Sequence, residues 1–449
     1  MTTELDLARA ADTYAVDYLA SVGTRRVFPS NDSLALLAGF DEALPEVGED
    51  GAAVLKQMHV LGSPNTVVSN GPNYFGFVIG AALPVASAAE RLMLAWDQCA
   101  SSPDGSPIAD TLERTARRWL LDILDLPTES AVGFGTSATA CAISCLTAAR
   151  RELLKRKGWD FDNDGLAGAP KIRVILPDTA HITMKKAVRV LGFGMAHVEY
   201  APCDEHGRVD PALLPALDDA SVLCLQAGEV NTGEFDRFAE IIPVAQKAGA
   251  WVHVDGAFGL WARAGSARAI TDGVDGADSW TTDGHKWLNT PYDGAMAICR
   301  HPHALADAMN SDAAYSTAAW DAQKNLTLEF SRRARGIPIW AALKGLGRDG
   351  VRDMIDRHCA QARRIATGLT AAGYTVLNRV PLNQVLARAD NDAGTRAIVE
   401  AAQASGKVWF GPAIWQGRAA FRISVSSWRT EDRHVEALID LLAELRNKV

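Results

Sequence analysis

Between residues 130 and 300 the sequence alternates short apolar runs with helix-patterned stretches, and this alternation limits the folds open to the chain. The runs are Arg173–Leu176, His197–Tyr200, Val222–Gln226, Trp251–Val254, Ser279–Thr281 and Ala295–Cys299. Each is too short for a helix and apolar at consecutive positions, as strands covered on both faces are. Helices between such strands predict an α/β fold with a mainly parallel sheet, whose ligands bind beyond the carboxyl ends of the strands.

The flanking sequence has its own pattern. Residues 4–22 read as a helix from the spacing of Leu5, Ala8, Ala11, Tyr14, Ala15 and Tyr18. Residues 28–75, richer in Gly, Pro and Asn, read as an extended arm. Residues 84–98 and 110–125 read as helices, with Leu112, Ala116, Trp119, Leu120 and Ile123 on one face of the second. A helix over 337–372 precedes short strands at Thr375–Leu377, Gln384–Ala387, Val408–Phe410 and Phe421–Val425, and a final helix spans 431–446. This predicts three parts: an N-terminal helix and arm over 1–75, a large domain over 76–335 and a small α+β domain over 336–449.

Composition excludes several classes. A chain of 449 residues exceeds one compact core. A net charge of −9 argues against a nucleic-acid partner, because phosphate binding needs a basic face. No apolar run reaches the ~20 residues that span a bilayer, so no membrane partner is expected. The first twenty residues carry Glu4, Asp6 and Asp12 and lack the basic start and apolar core of a signal peptide. The seven cysteines are scattered, with no C-x-x-C pair and no zinc-like spacing. No metal is expected, and reduced thiols fit a cytoplasmic protein.

Candidate chemistry lies at the strand ends. Lys286 follows one apolar run in Asp283-Gly284-His285-Lys286-Trp287. A lysine in an apolar setting must lose its charge or find a partner, whereas a surface loop lysine needs neither. Asp255 ends another run, Trp251-Val252-His253-Val254-Asp255, where a carboxylate can cap a following helix or hold a proton on a pyridinium. Together, a strand-end Asp and a strand-end Lys are suited to pyridoxal 5'-phosphate (PLP). The Lys forms a Schiff base with the aldehyde and the Asp keeps the ring nitrogen protonated. Gly133-Phe134-Gly135-Thr136-Ser137-Ala138-Thr139 opens a helical run, and free N–H groups, dipole and hydroxyls there suit a phosphate or serve as an ordinary N-cap. It matches neither G-x-x-x-x-G-K-[ST] nor G-x-G-x-x-G. His181, in Thr179-Ala180-His181-Ile182, can stack on a planar cofactor or bond within its loop.

With Pro72-Asn73-Tyr74-Phe75, Ser106-Pro107, Leu112-Glu113, Asn231-Thr232-Gly233, Asp236, Arg332-Arg333 and Trp340, this ordered set resembles the group II PLP-dependent amino-acid decarboxylases, from about Pro72 to the C-terminus. The resemblance implies the aspartate-aminotransferase-like fold type I, with a seven-stranded-type sheet, and a homodimer with shared active sites. It implies Lys286 as the Schiff-base lysine, Asp255 as the pyridinium partner and His181 on the ring face. It places Thr136, Ser137, Ala138 and His285 near the phosphate, with Glu229, Asn231 and Ala257 also around the cofactor. Tyr74, Phe75 and Phe77 are candidates for the substrate pocket. The polar stretch 310–330 corresponds to a catalytic loop, in which Tyr315 is the tyrosine available to protonate the substrate carbon.

Three positions depart from the family pattern. Glu229 replaces a usual hydroxyl residue, Asp283 replaces a frequent asparagine, and Tyr315 is displaced relative to Arg332-Arg333. The implied activity is decarboxylation of an L-amino acid to its amine and CO2. The alternatives are aldol cleavage, oxidative deamination to an aldehyde, transamination and, most remotely, a non-catalytic PLP-fold binding protein. Arg422 could reach a substrate carboxylate or be a structural strand residue.

Overall fold

A computed structural model describes residues 2–311 and 318–448. It divides into two compact units. One comprises Gly80–Arg363 and Asn378–Val385, and the other Met1–Ile79, Arg364–Leu377 and Leu386–Val449.

The first of these units is built on a seven-stranded sheet. Its strands are β1 (Ala131–Gly135), β2 (Arg173–Pro177), β3 (Glu199–Ala201), β4 (Ser221–Gln226), β5 (Trp251–Asp255), β6 (Ser279–Asp283) and β7 (Ala295–Cys299), in the order β1-β7-β6-β5-β4-β2-β3. The pairs from β3 through β2, β4 and β5 to β6 are parallel, while β7 is antiparallel to both β6 and β1. β1 therefore runs in the same direction as β6, and the carboxyl ends of β1, β2, β4, β5 and β6 share one edge. This is the mainly parallel α/β sheet expected from the apolar runs.

β4, β5, β6 and β7 are buried at consecutive positions because helices cover both faces, whereas the edge strand β3 is partly exposed. Leu146, Val174, Leu176, Val222, Trp251 and Leu305 meet in one core cluster. Burying each such aliphatic side chain contributes about 1.5–3 kcal/mol. Trp251 in this core and the buried Trp280 on β6 both carry a polar atom inside, and both are satisfied. Their Nε1–H groups donate to Ser279 Oγ at 3.0 Å and to the Val274 carbonyl at 2.9 Å.

The edge strand β1 is absent from the expected strands because its glycines read as a turn. A Cβ on Gly133 would lie 2.1 Å from the Leu326 carbonyl oxygen, so only glycine fits this approach. The open side of β1 is paired by a side chain. Gln323 accepts from Phe134 N at 2.9 Å and donates to the Val132 carbonyl at 3.0 Å. An amide thus completes the ladder and blunts the edge.

The other unit holds a four-stranded antiparallel sheet in the order β10-β11-β9-β8, from β8 (Thr375–Val376), β9 (Gln384–Arg388), β10 (Gly411–Trp415) and β11 (Arg418–Ser424). Only the first residues of β9 fall in the large-sheet unit. The helices Asp392–Ser405 and Asp432–Arg446 belong to the same unit as the small sheet.

Two expectations are corrected here. Val408–Phe410 is not a sheet strand. Trp409 instead bridges Tyr74, with Trp409 N donating to the Asn73 carbonyl at 3.2 Å and Phe75 N to the Trp409 carbonyl at 2.8 Å. The segment 28–75 is not wholly extended either. It contains the helices Asn31–Ala35 and Gly51–Gln57, each N-capped by a side chain, from Ser30 and Asp50. The N-terminal helix spans Glu4–Ser21, closed by a Thr3/Asp6 capping box.

Candidate active site

The shared carboxyl edge of the sheet gathers the chemistry. Asp255 is the last residue of β5, Asp283 the last of β6, and Lys286 lies three residues further on. The Asp283-to-Asn289 turn packs tightly: a Cβ on Gly80 would lie 2.0 Å from the Lys286 carbonyl oxygen, so glycine is required there. The Lys286 side chain is 22% exposed, and its Nζ lies 3.1 Å from Asp283 Oδ2.

Asp255 keeps some exposed surface, but dense protein surrounds its carboxyl group. Burial raises its pKa, and the positive charges of Lys286 and His181 oppose that rise. The three groups are therefore electrostatic neighbours. The Ala257 N–H donates to Asp255 Oδ1 at 3.2 Å and fixes the carboxylate from behind the strand end.

His181 caps the helix Ile182–Val190. Its Nδ1 accepts from Thr183 N at 3.4 Å and lies 2.7 Å from Thr183 Oγ1. Acceptance at Nδ1 places the proton of the neutral ring on Nε2. His285 is buried, which lowers its pKa and favours the neutral imidazole. Its Nδ1 accepts from Gly294 N at 3.3 Å, and its Nε2 lies 3.6 Å from Asp283 Oδ1.

The helix Ala138–Arg156 starts at the end of β1 and is capped by Ser137, whose Oγ accepts from Ala140 N at 3.3 Å. Thr136 is half-buried just before it. Ala138 N donates to Asp283 Oδ1 at 2.7 Å. The departure at Asp283 noted in the sequence therefore faces the start of this helix.

Glu229 and Asn231 lie three and five residues past β4 and bind each other. The Glu229 carboxylate accepts from Asn231 N at 2.8 Å, Asn231 Nδ2 at 3.1 Å, Thr232 N at 2.7 Å and Thr232 Oγ1 at 3.0 Å. It is buried and closes its own turn. Tyr74 and Phe75 are buried in the small-sheet unit, where Tyr74 stacks on Trp409 at 5.0 Å, while Phe77 remains exposed. Arg422 lies on β11 in that unit. Tyr315 lies outside the described residues.

Two features escaped the sequence. Tyr292 stacks on His285, with ring centroids 4.3 Å apart; although the residue is 54% exposed, the protein around its ring and the Asp283 charge push its phenol up to about 12. Its place in a loop, six residues after Lys286, carries no periodic signal. The buried pair of Glu113 and Arg332 is the second: Arg332 Nη1 and Nη2 donate to the two Glu113 oxygens at 2.8 and 2.9 Å. Arg332 Nη2 also reaches the Phe134 carbonyl at 2.9 Å and so braces β1 just before the helix start.

These residues fit PLP. A lysine amine, a buried carboxylate and an imidazole cluster at one strand edge, beside a helix start with hydroxyl residues. The one discordant group is Asp283, a carboxylate at that helix start.

Comparison with known proteins agrees. Residues 34–380 match the pyridoxal-dependent decarboxylase conserved domain. Over 97% of this chain and 92% of the relative, the sequence is 27% identical to tryptophan decarboxylase 1 of Oryza sativa subsp. japonica. It is also 27% identical to phenylacetaldehyde synthase of a Rosa hybrid cultivar, over 84% of this chain and 80% of that protein. The fold superposes on the crystal structure of Oryza sativa TDC with PLP and tryptamine with a TM-score of 0.90 at 23% identity, covering 100% of this chain and 99% of the other. PLP is the cofactor, and the fold is that of type I PLP enzymes. The chain belongs to the family of pyridoxal-dependent decarboxylases and is a PLP-dependent carboxy-lyase.

Proposed function

We propose that this enzyme removes the α-carboxylate of an L-amino acid as CO2 and releases the amine, with Lys286 as the attachment point of the cofactor. The observation that carries this is the clustering of Asp255, His181 and Lys286 at one sheet edge. Aromatic amino acids are the first substrate class to test, because the relatives include a tryptophan decarboxylase.

Bound PLP supplies an electron sink for the bond to the departing carboxylate. Lys286 would hold the cofactor through Nζ, and its amine would be freed when the substrate amine takes that place. Asp255 would pair with the protonated ring nitrogen, a cationic partner that would offset the cost of burying its carboxylate. His181, with Nδ1 engaged by Thr183, would offer its ring to the face of the cofactor. Ser137 and Thr136 provide hydroxyls at the phosphate end, with Ala138 and His285 beside them, while Ala257 fixes Asp255. Glu229 and Asn231 shape the loop beyond β4 as a linked pair. Lys286, once free, returns a proton to the substrate carbon, with His181 and Tyr315 as the other candidates.

The enzyme acts as a homodimer in this reading. The helices Glu4–Ser21 and Gly51–Gln57 bury none of their own side chains, and Leu5, Val16, Leu19, Val54 and Met58 are exposed. Such an apolar surface fits a second copy of the chain. The seven unpaired cysteines accord with a reducing, cytoplasmic setting.

The test is to incubate the holoenzyme with a panel of L-amino acids and measure CO2, amine and aldehyde. Amine equal to CO2 for one substrate class is expected. Aldehyde with CO2 but no amine would replace this reading with oxidative deamination, which the phenylacetaldehyde synthase relative favours as the second reading. Turnover without CO2 would point to aldol cleavage or transamination.

A further inference from the structure

Asp283 stands where an anionic ligand of the Ala138–Arg156 helix would stand. That helix is 19 residues long, has no acidic residue in its first turn, and presents Ala138 N–H to Asp283 Oδ1 at 2.7 Å. The Asp283 side chain is 3% exposed, and its other oxygen lies 3.1 Å from Lys286 Nζ. The carboxylate thus satisfies two demands at once: the positive end of a helix and the ammonium of the lysine. The polypeptide holds Asp283 in place from both sides, because Asp283 N donates to the Ala257 carbonyl at 2.9 Å and Trp261 Nε1 donates to the Asp283 carbonyl at 3.2 Å.

A phosphate group needs the same N–H. It carries more charge than a carboxylate, and two anions cannot share one donor in a buried place without strong repulsion. We propose that Asp283 is an internal occupant of the phosphate seat, which holds Ala138 N–H and Lys286 until the cofactor arrives and must leave both when the phosphate binds. The proposal rests on reading the start of this helix as that seat. It makes Asp283 a residue that sets cofactor affinity. In the cofactor-free chain it neutralises Lys286. When PLP arrives, its displacement lowers the share of the affinity owed to the phosphate.

Apoprotein titrated with PLP and with pyridoxal, which lacks the phosphate, tests this through quenching of tryptophan fluorescence. The loss of the Lys286 ion pair affects both ligands, so the ratio of the two Kd values isolates the phosphate. In Asp283→Asn the preference for PLP over pyridoxal should rise about tenfold or more. An unchanged or smaller preference overturns the proposal. Asp283→Ser is scored in the same way should the Asn variant not fold. Ala138→Pro removes the contested N–H at a position where proline suits a helix start. If that variant loses preference for PLP while Asp283→Asn gains none, the seat stands and the role of Asp283 falls. If Ala138→Pro keeps the full preference, the seat itself is wrong and the proposal falls with it.

Discussion

Lys286 sits just past the end of a buried strand, with its Nζ 3.1 Å from the carboxylate of Asp283, three residues before it. Lys286→Ala should abolish the visible absorbance of the holoenzyme. Loss of its proton-transfer role alone should cost about 10^2–10^4-fold in amine release. His253 shows how the same burial acts on a residue away from the chemistry. It is fully buried on β5, with Nδ1 2.9 Å from Ser279 Oγ, and burial lowers its pKa to about 3. The unfolded chain takes up a proton near the ordinary histidine value, so the folded chain keeps this stability above about pH 6.5 and loses it as pH falls toward 3. Between pH 7.5 and 5.5 the loss should be about 1 kcal/mol, and urea unfolding of His253→Asn should show a correspondingly flatter pH profile.

At this scale the sequence was legible where a residue type is expensive to bury. Lys286 and Asp255 stood out because a charged group at the end of an apolar run demands a partner. The local use of Glu229 was hidden, since a carboxylate closing its own Asn231–Thr232 turn leaves no spacing different from one facing a ligand. The neighbours of Asp283 were equally hidden, because Ala138 lies 145 residues away in the chain.

Elements were readable when their period was long and undecorated. The longer helices and the parallel strands came from such patterns, whereas the short helices Asn31–Ala35 and Gly51–Gln57 did not. β1 did not, because Gly133 and Gly135 imitate a turn, and the position of Gly133 is dictated by its approach to Leu326. Trp409 looked like part of a strand for the opposite reason: its apolar neighbours have the right composition, but its backbone pairs with Asn73 and Phe75. Glu113 and Arg332, on a helix and in a loop 219 residues apart, form one buried bidentate pair that also binds Gly336 N. Glu113→Ala should destabilise the fold by about 3–5 kcal/mol, because Arg332 would stay buried and unpaired. A shift of the urea midpoint with an unchanged slope would show this, and a loss under about 1 kcal/mol would contradict it.

At the scale of the whole molecule, two compact units carry different work. The seven-stranded unit holds Lys286, Asp255, His181, His285 and Asp283, and the small-sheet unit holds the N-terminal helices with their exposed apolar side chains. Sedimentation of the holoenzyme should give twice the chain mass of 48.1 kDa. Leu5→Glu combined with Val16→Glu should shift it toward the monomer, whereas a monomeric wild-type enzyme with full activity would remove the homodimer from the account.

The most direct test of the central claim is chemical. Reduction of the holoenzyme with borohydride, followed by digestion and mass spectrometry, should locate a single pyridoxyl group on the peptide containing His285-Lys286-Trp287, attached at Lys286. A pyridoxyl group on any other lysine, or none in a protein that binds PLP and turns over substrate, would contradict it.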